Sequence, residues 1–173
     1  MKYLSLYPES QKAVIENTRG LDVDKGCRLC ALHEGSKNPC ISPEGEPGGL
    51  LVVGEHPFRA EDSRSRPFVS TTGARLRQII QKHWTGPVAL DYALKCNPKR
   101  GKRITDTQIR QCRGYLAKTF EEVKPTIVIT LGPIAMEAVL GRSVGQLSTR
   151  KAYGWLEETK TPVFCLMSND FAL

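Results

Sequence analysis

Three carboxylates and a histidine lie within eight residues of one another, directly after an apolar run. The segment GEHPFRAED, residues 54–62 and here called the acidic segment, contains Glu55, His56, Glu61 and Asp62. Carboxylates can stabilise developing positive charge or orient a water molecule, and an imidazole can exchange a proton. Such a cluster of acidic residues is unexpected on the surface of a basic chain unless it has a function. It indicates an active site.

The cysteines are a second set of residues that could carry out chemistry. Cys27 and Cys30 make a CxxC pair, Cys96 follows after 65 residues, and Cys112 follows after 15 more. Four thiolates are what a cubane iron–sulfur cluster or a structural zinc ion requires. The alternative is that Cys96 and Cys112 are merely small buried residues.

Two further cysteines have separate interpretations. Cys40 is a competing ligand, since it could complete a local zinc site with His33 and the CxxC pair. Cys165 lies within an apolar strand and is expected in the core.

A basic loop follows the second predicted strand. Its cations are Lys95, Lys99, Arg100, Lys102 and Arg103. Over the chain, 25 Lys and Arg against 18 Asp and Glu give a formal net charge of +7, which favours an anionic partner, by default DNA. Such a loop suits phosphate contacts, which position a protein without reading sequence. A solvated charge run is the alternative.

Size and composition are typical of one globular domain of 173 residues. No apolar run approaches the roughly 18 residues needed to cross a bilayer, and the first residues lack a signal-peptide core. These features favour a cytoplasmic location, where thiols stay reduced, so the cysteines indicate metal or reactive thiols before disulfides.

The elements that must position these residues alternate between strand and helix. The predicted strands span residues 49–54, 87–95, 126–132 and 161–167. The predicted helices span residues 7–20, 71–84, about 106–123 and 133–141. Thr105 and Gln108 form a capping-box pattern at the start of the third, and Pro133 and Gly141 mark the two ends of the fourth. This alternation predicts an α/β fold: a single-domain doubly wound three-layer sandwich around a central, mainly parallel four-stranded sheet.

The single predicted domain covers residues 1–173. Residues 1–49 form an N-terminal helix and cysteine-bearing segment, and residues 50–173 form the core of sheet and helices. Ligands of doubly wound sheets bind at the carboxyl ends of the strands. Because the acidic segment, the basic loop, LGP and SND each follow a strand, all four are expected on one rim.

Several segments resemble the iron–sulfur uracil-DNA glycosylases of the family 4 type. GEHPFRAED followed by SRPFVSTTGARL is similar to that family's first motif block, which reads GE-x-P-G, an ED pair and then GRPFVG. CRLC, KCNP and the cysteine of IRQCRGYL look like its four cluster ligands, in order and approximate spacing. The likeness covers most of the chain.

The resemblance implies a DNA glycosylase that hydrolyses the N-glycosidic bond of uracil or a modified base flipped out of DNA. It also implies a [4Fe–4S] cluster held by Cys27, Cys30, Cys96 and Cys112, which acts as a structural pin. Cys40 is then a bystander.

The resemblance also implies roles for individual residues. Glu55 matches the motif glutamate, and Glu61 and Asp62 match the ED pair, which lie where positive charge develops on the sugar. The alternative is that the ED pair forms ion pairs with neighbouring arginines and orders the loop. Phe68 matches the aromatic residue that stacks on the base; its alternative is a core residue that anchors the loop.

This chain departs from the family around the predicted base pocket. The pocket residues are Gly54, Phe58, Phe68, Tyr92, Ser168, Asn169 and Asp170. Tyr92 aligns with the asparagine that reads uracil, and SND aligns with an HPS motif whose histidine supports charge on the departing base. Phe58 replaces a motif glycine. His56 is a candidate to take over a donor role.

Two interpretations follow. The first is an enzyme of the uracil-DNA glycosylase type, which the intact carboxylates favour. The second is a catalytically impaired glycosylase-fold module that binds DNA or a replication or repair protein, which Tyr92 and Ser168 favour. The enzyme is preferred by analogy with the usual role of the fold.

Overall fold

The computed structural model describes residues 27–98, 101, 103–141, 153–156 and 159–166. The strands are β1 (Glu44–Gly45), β2 (Leu50–Gly54), β3 (Val88–Tyr92), β4 (Ile127–Leu131), β5 (Tyr153–Leu156) and β6 (Thr161–Leu166). They form one sheet in the order β1-β3-β2-β4-β6-β5. The inner four are parallel, and β1 and β5 add to the edges in antiparallel pairings.

This arrangement confirms the predicted α/β class and corrects the number of strands. Within the described residues the sheet has six strands and not four. The four predicted strands are the inner ones. The edge strand β1 is only two residues long and β5 is four, so neither has an apolar run long enough to mark it in the sequence.

The helices are α1 (Arg59–Arg64), α2 (Thr71–His83), α3 (Asp106–Val123) and α4 (Pro133–Leu140), with a 3₁₀ helix over Ala31–Gly35. The predicted capping box of α3 is present: Thr105 and Gln108 each accept the other's backbone N–H through a side-chain oxygen. Helix α1 was not predicted, because its sequence, RAEDSR, carries no apolar face. The predicted helix over residues 7–20 lies outside the described residues.

The core consists of two apolar clusters, one on each face of the sheet. Leu51 and Val53 of β2 point to one cluster, whereas Leu50 and Val52 point to the other, as strand alternation requires. Helices α3 and α4 cover the first face, and α2 packs against the second. These three layers confirm the predicted sandwich. No helix within the described ranges is long and apolar enough to cross a membrane.

Candidate active site

The carboxyl ends of β2, β3 and β4 meet at one rim of the sheet. There Gly54 is paired in register with Tyr92 on one side and Leu131 on the other. A cavity of about 40 Å³ opens at this rim. Its walls include seven of the predicted site residues: Gly54, Glu55, His56, Phe58, Glu61, Phe68 and Tyr92.

A wider groove of about 880 Å³ adjoins this cavity, since His56 and Phe58 line both. Lys37 and Arg59 are among the groove's other lining residues. The acidic segment therefore lies between a small cavity and a groove with cationic walls.

Glu55 is anchored through one carboxylate oxygen. Its Oε1 accepts the backbone N–H of Ile134, at the first turn of α4, over 3.0 Å. The bond places this oxygen at the positive end of the helix dipole. Among the described residues, Oε2 makes no hydrogen bond and is left for a ligand. Glu55 is half-buried and lines the cavity.

His56 is oriented by its own neighbours. Its Nδ1 lies 3.1 Å from the carbonyl oxygen of Pro57, which can only accept, so Nδ1 carries the proton. The imidazole also packs against Phe58, with ring centroids 4.8 Å apart. Nε2 is therefore the nitrogen left for a ligand: it accepts in the neutral ring and donates in the imidazolium.

Glu61 is buried, and its oxygens are occupied by backbone amides. Oε1 accepts the N–H groups of Val69 at 3.1 Å and Ser70 at 2.7 Å, and Oε2 accepts the N–H of Phe58 at 3.3 Å. The carboxylate thus ties the start of α1 to the segment that precedes α2. Although Glu61 borders the cavity, its hydrogen-bonding capacity is directed into the protein.

Asp62 is also buried, but it faces another part of the chain. Its two oxygens accept the backbone N–H groups of Lys37 at 2.9 Å and Asn38 at 2.8 Å. The ion-pairing alternative does not describe the structure, because Arg66 pairs with Glu44 at 2.7 Å and Arg64 donates to the Val69 carbonyl at 2.8 Å. Backbone amides, and not arginines, satisfy the acidic pair.

Phe68 and Tyr92 form a stacked aromatic pair in the wall of the cavity. Their ring centroids are 4.7 Å apart, with 23° between the planes. The Phe68 N–H donates to the Tyr92 hydroxyl over 3.0 Å. Burial raises the pKa of the Tyr92 hydroxyl, so the phenol stays protonated. A Cβ on Gly54 would lie 2.8 Å from atoms of both rings, so this position needs glycine.

Some lining residues were missed by the sequence analysis. Ser70 and Thr72 border the cavity, although the RPFV motif that precedes them was recognised. Arg77 fixes that motif by donating to the carbonyls of Phe68 at 3.0 Å and Pro67 at 2.6 Å. Nothing in the sequence marks Arg77 as different from the other polar residues of α2.

The predicted basic loop is only partly described. Arg103 is exposed, as a phosphate contact requires. Lys95, in contrast, is fully buried and ion-paired with Asp91, whose other oxygen accepts the Thr119 hydroxyl at 2.7 Å. This pairing removes Lys95 from the predicted DNA-binding set, because a buried and neutralised ammonium cannot reach DNA. Lys99, Arg100 and Lys102 lie outside the described residues, as do Ser168, Asn169 and Asp170.

Three of the four predicted ligand cysteines lie at the larger core cluster. Cys96 and Cys112 belong to it, and Cys30 packs against it. Burial raises the pKa of Cys96 to about 11 and that of Cys112 to about 12. The charges of Cys27 and Cys30 contribute to the raised pKa of Cys96, and those of Cys30 and Cys96 to the raised pKa of Cys112. Segments distant in sequence thus bring these thiols into electrostatic contact.

Cys40 adjoins the same thiols. Its backbone N–H donates to Cys96 Sγ over 3.4 Å, and its thiol hydrogen-bonds to Cys27, which lowers the pKa of Cys27 to about 5. His33, the other member of the alternative zinc site, has Nδ1 engaged with the Cys30 carbonyl at 2.6 Å. Cys165 is half-buried at the edge of the core.

No group of three or more His, Cys, Asp or Glu side chains in the described ranges is arranged to hold a metal ion. The donor set nevertheless fits a thiolate-ligated cluster chemically. It provides four free thiols, of which those of Cys96 and Cys112 are buried, and an N–H group directed at the sulfur of Cys96.

A doubly wound sheet with an acidic, aromatic-walled cavity at its carboxyl rim agrees with the comparisons to known proteins. The family model of the uracil DNA glycosylase superfamily matches residues 45–171. The chain belongs to this superfamily, as the motifs indicated.

Curated relatives agree with that assignment. A type-4 uracil-DNA glycosylase of Pyrobaculum aerophilum is 32% identical over 119 residues, which cover 67% of this chain and 60% of the relative. One of Archaeoglobus fulgidus is 29% identical over 115 residues, covering 65% and 58%. One of Saccharolobus solfataricus is 26% identical over 148 residues, covering 78% and 68%. The chain spans about three fifths of the length of the first two.

Proposed function

We propose that the protein is a DNA glycosylase that hydrolyses the N-glycosidic bond of uracil or a modified base extruded from DNA. One observation carries this proposal. Glu55 is held at the rim by the Ile134 N–H, beside the aromatic-walled cavity, with its second carboxylate oxygen free among the described residues. Membership of the superfamily supports the same reaction class.

The reaction needs a carboxylate near the sugar. As the bond between C1′ and the base nitrogen breaks, the bonding electrons leave with the base and C1′ takes on positive charge. Glu55 would stabilise that charge through Oε2 and orient a water molecule. The water oxygen then bonds to C1′, and the proton it loses ends on the departing base.

His56 is the candidate donor to that base. Because Nδ1 is engaged with the Pro57 carbonyl, only Nε2 can serve, and it donates only when the ring is protonated. A donor of this kind stabilises negative charge on the leaving group. His56 would thus supply the role that the family's late histidine has, at the boundary between cavity and groove.

We infer a positioning role for Glu61 and Asp62. Each carboxylate already accepts two or more backbone N–H groups inside the protein. Glu61 orders the segment between Phe68 and α2, and Asp62 fixes Lys37, which lines the groove. Among the three carboxylates, Glu55 is therefore the one proposed to act on the sugar.

We propose the adjoining groove as the DNA-binding surface. Lys37 and Arg59 line it, together with Pro98 and Gly101 of the basic loop. Arg103 is an exposed cation of the same loop, and Lys99, Arg100 and Lys102 are proposed to add phosphate contacts. Binding that depends on such contacts weakens as salt rises.

We further propose that Cys27, Cys30, Cys96 and Cys112 bind a [4Fe–4S] cluster. When bound, the cluster would cross-link the N-terminal segment to β3 and α3, without a redox step. Such a cluster suits a compartment in which thiols stay reduced, so we expect the protein to act in the cytoplasm.

Oligonucleotides that each carry one uracil or one modified base would test the proposed function. After incubation with the protein, alkali cleaves at abasic sites and the product is quantified. Glu55→Gln should lower the rate about 10²–10³-fold, whereas the matched variant Glu46→Gln, at an exposed position beside the start of β3, should retain it. Product at the wild-type rate from Glu55→Gln would exclude this role. No product from any base, together with salt-sensitive DNA binding, would favour a non-catalytic binding module.

A further inference from the structure

Tyr92 occupies the face of Phe68 that a base could use. The two rings stack at 4.7 Å, and Phe68 and Tyr92 are only 6% and 3% exposed. An extruded base is held largely by stacking between aromatic or apolar side chains. With one face covered and almost no ring surface exposed, Phe68 offers a base no stacking platform in this arrangement.

The cavity beside the stack is also small. Its volume of about 40 Å³ has room for only a few water molecules, since each needs about 10–15 Å³ on this measure. The two rings cannot shift toward β2, because even a Cβ at Gly54 would approach both to 2.8 Å. Enlarging the cavity therefore requires one of the two rings to move away from β2.

The backbone of Phe68 is fixed beside the stack. Its backbone has a positive φ of 51°, and its carbonyl accepts Arg77 Nε at 3.0 Å. Among the residues that the structure describes, the Tyr92 side chain has one hydrogen bond, in which its hydroxyl accepts the Phe68 N–H. Because the Tyr92 ring stacks on Phe68, access to the covered face of Phe68 requires displacement of the Tyr92 ring.

We propose that Tyr92 determines the specificity of the base pocket, its ring taking the place in which an extruded pyrimidine would stack on Phe68. The inference rests on the proposed function and narrows it. The wild-type chain discriminates against uracil, and a smaller residue at position 92 admits it. The steric bulk of the ring is responsible, and not the hydroxyl.

Single-turnover excision of uracil from single-stranded and duplex oligonucleotides separates the effect of the Tyr92 ring from that of its hydroxyl. Tyr92→Asn should excise uracil about 10-fold or more faster than wild type, the scale of steric discrimination in a pocket. Tyr92→Phe retains the ring and should match wild type. Wild-type excision equal to or faster than that of Tyr92→Asn would overturn the proposal, and so would equal acceleration by Tyr92→Phe.

If Tyr92→Asn fails to fold, or if no variant shows activity, a binding measurement tests whether the Tyr92 ring keeps uracil out of the pocket. In the silenced Glu55→Gln protein, which retains Tyr92, a uracil-containing strand and an otherwise identical thymine-containing strand should bind equally tightly, because neither base enters. Tighter binding of the uracil strand would overturn the role of Tyr92. If the proposed glycosylase function is wrong, no folded variant should excise any base. This result differs from the ones that would overturn the role of Tyr92.

Discussion

Glu55 at the end of β2 accepts the backbone N–H of Ile134 at the start of α4, over 3.0 Å. This bond joins the acidic segment to the third strand-to-helix connection. It fixes one carboxylate oxygen and leaves the other available at the rim. Gly132 makes this hydrogen bond possible, since a Cβ at position 132 would lie 2.5 Å from Glu55 Cδ.

Replacement of that glycine should therefore impair activity as well as stability. Gly132 has a φ of 96°, so Gly132→Ala adds backbone strain and also displaces the Glu55 side chain. The control is Gly48→Ala, at a φ of 89° with nothing within 4 Å, which should cost stability alone, about 1–2 kcal/mol. Thermal unfolding and excision rates measured on both variants would test this. If Gly132→Ala and Gly48→Ala lost activity equally, catalysis would not depend on the position that Glu55 has beside Gly132.

Substitution of Glu61 should act mainly on stability. In Glu61→Gln an NH₂ group replaces one of the oxygens that accept backbone N–H groups of Phe58, Val69 and Ser70. A buried N–H left without an acceptor costs about 1–3 kcal/mol. Urea unfolding should show this loss, and Glu46→Gln should not. Unchanged stability with abolished excision would instead indicate a direct catalytic role for Glu61.

Stability should fall in acid partly through Glu44. Hydrogen bonds from Arg66 and Arg77 lower the pKa of Glu44 from 4.5 to about 2. Because the folded pKa is depressed, the stabilisation is present above the unfolded pKa and is lost as the pH falls through this range toward 2. The midpoint of thermal unfolding should therefore fall less steeply for Glu44→Gln than for wild type between these pH values. Parallel curves would exclude this contribution.

The cysteine assignment predicts different outcomes for substitutions at neighbouring thiols. Cys96→Ser and Cys112→Ser should lose iron, sulfide and the broad absorbance near ~400 nm of a thiolate-bound cluster. Cys165→Ser is the matched control, at the edge of the core. Cys40→Ser should also retain the cluster, because Cys40 is not one of the four proposed ligands and its backbone N–H to Cys96 Sγ is unchanged by the substitution. A colourless wild-type protein with one zinc ion would contradict the cluster.

Lys95 and Arg103 should differ in what they contribute. Lys95→Met leaves Asp91 buried without its cation, which should cost about 3–5 kcal/mol of stability. Arg103→Gln should leave stability unchanged and reduce the salt dependence of DNA affinity by about one unit of slope. Fluorescence anisotropy with labelled DNA between about 50 and 200 mM salt would measure this slope. If folded Lys95→Met also showed a weaker salt dependence of DNA affinity, Lys95 would have to be part of the DNA-binding surface.

The main elements of the fold were predictable from sequence because their signals are local. The apolar run before Gly54 predicted β2, and the Thr105–Gln108 pattern predicted the start of α3. Pro133 and Gly141 marked the two ends of α4. Strand alternation with these helices then implied which strand ends share a rim.

Side-chain partners were not predictable in the same way. Glu61 and Lys95 each carry a charge that is typical of the surface, yet both are buried. Glu61 is stabilised by amides eight and nine residues away, and Lys95 by Asp91 together with the contact of that aspartate to Thr119. These partners come together only when the chain folds.

The amino-acid sequence alone was enough to predict the order of the main strands and helices, the motif residues at the rim and the candidate ligand cysteines, since each depends on residues close in the chain or on a recognisable motif. That the acidic pair binds backbone amides and that Tyr92 stacks on Phe68 is visible only in the folded protein. Hydrogen bonding and stacking depend on distances of a few ångströms between segments that the linear order leaves apart.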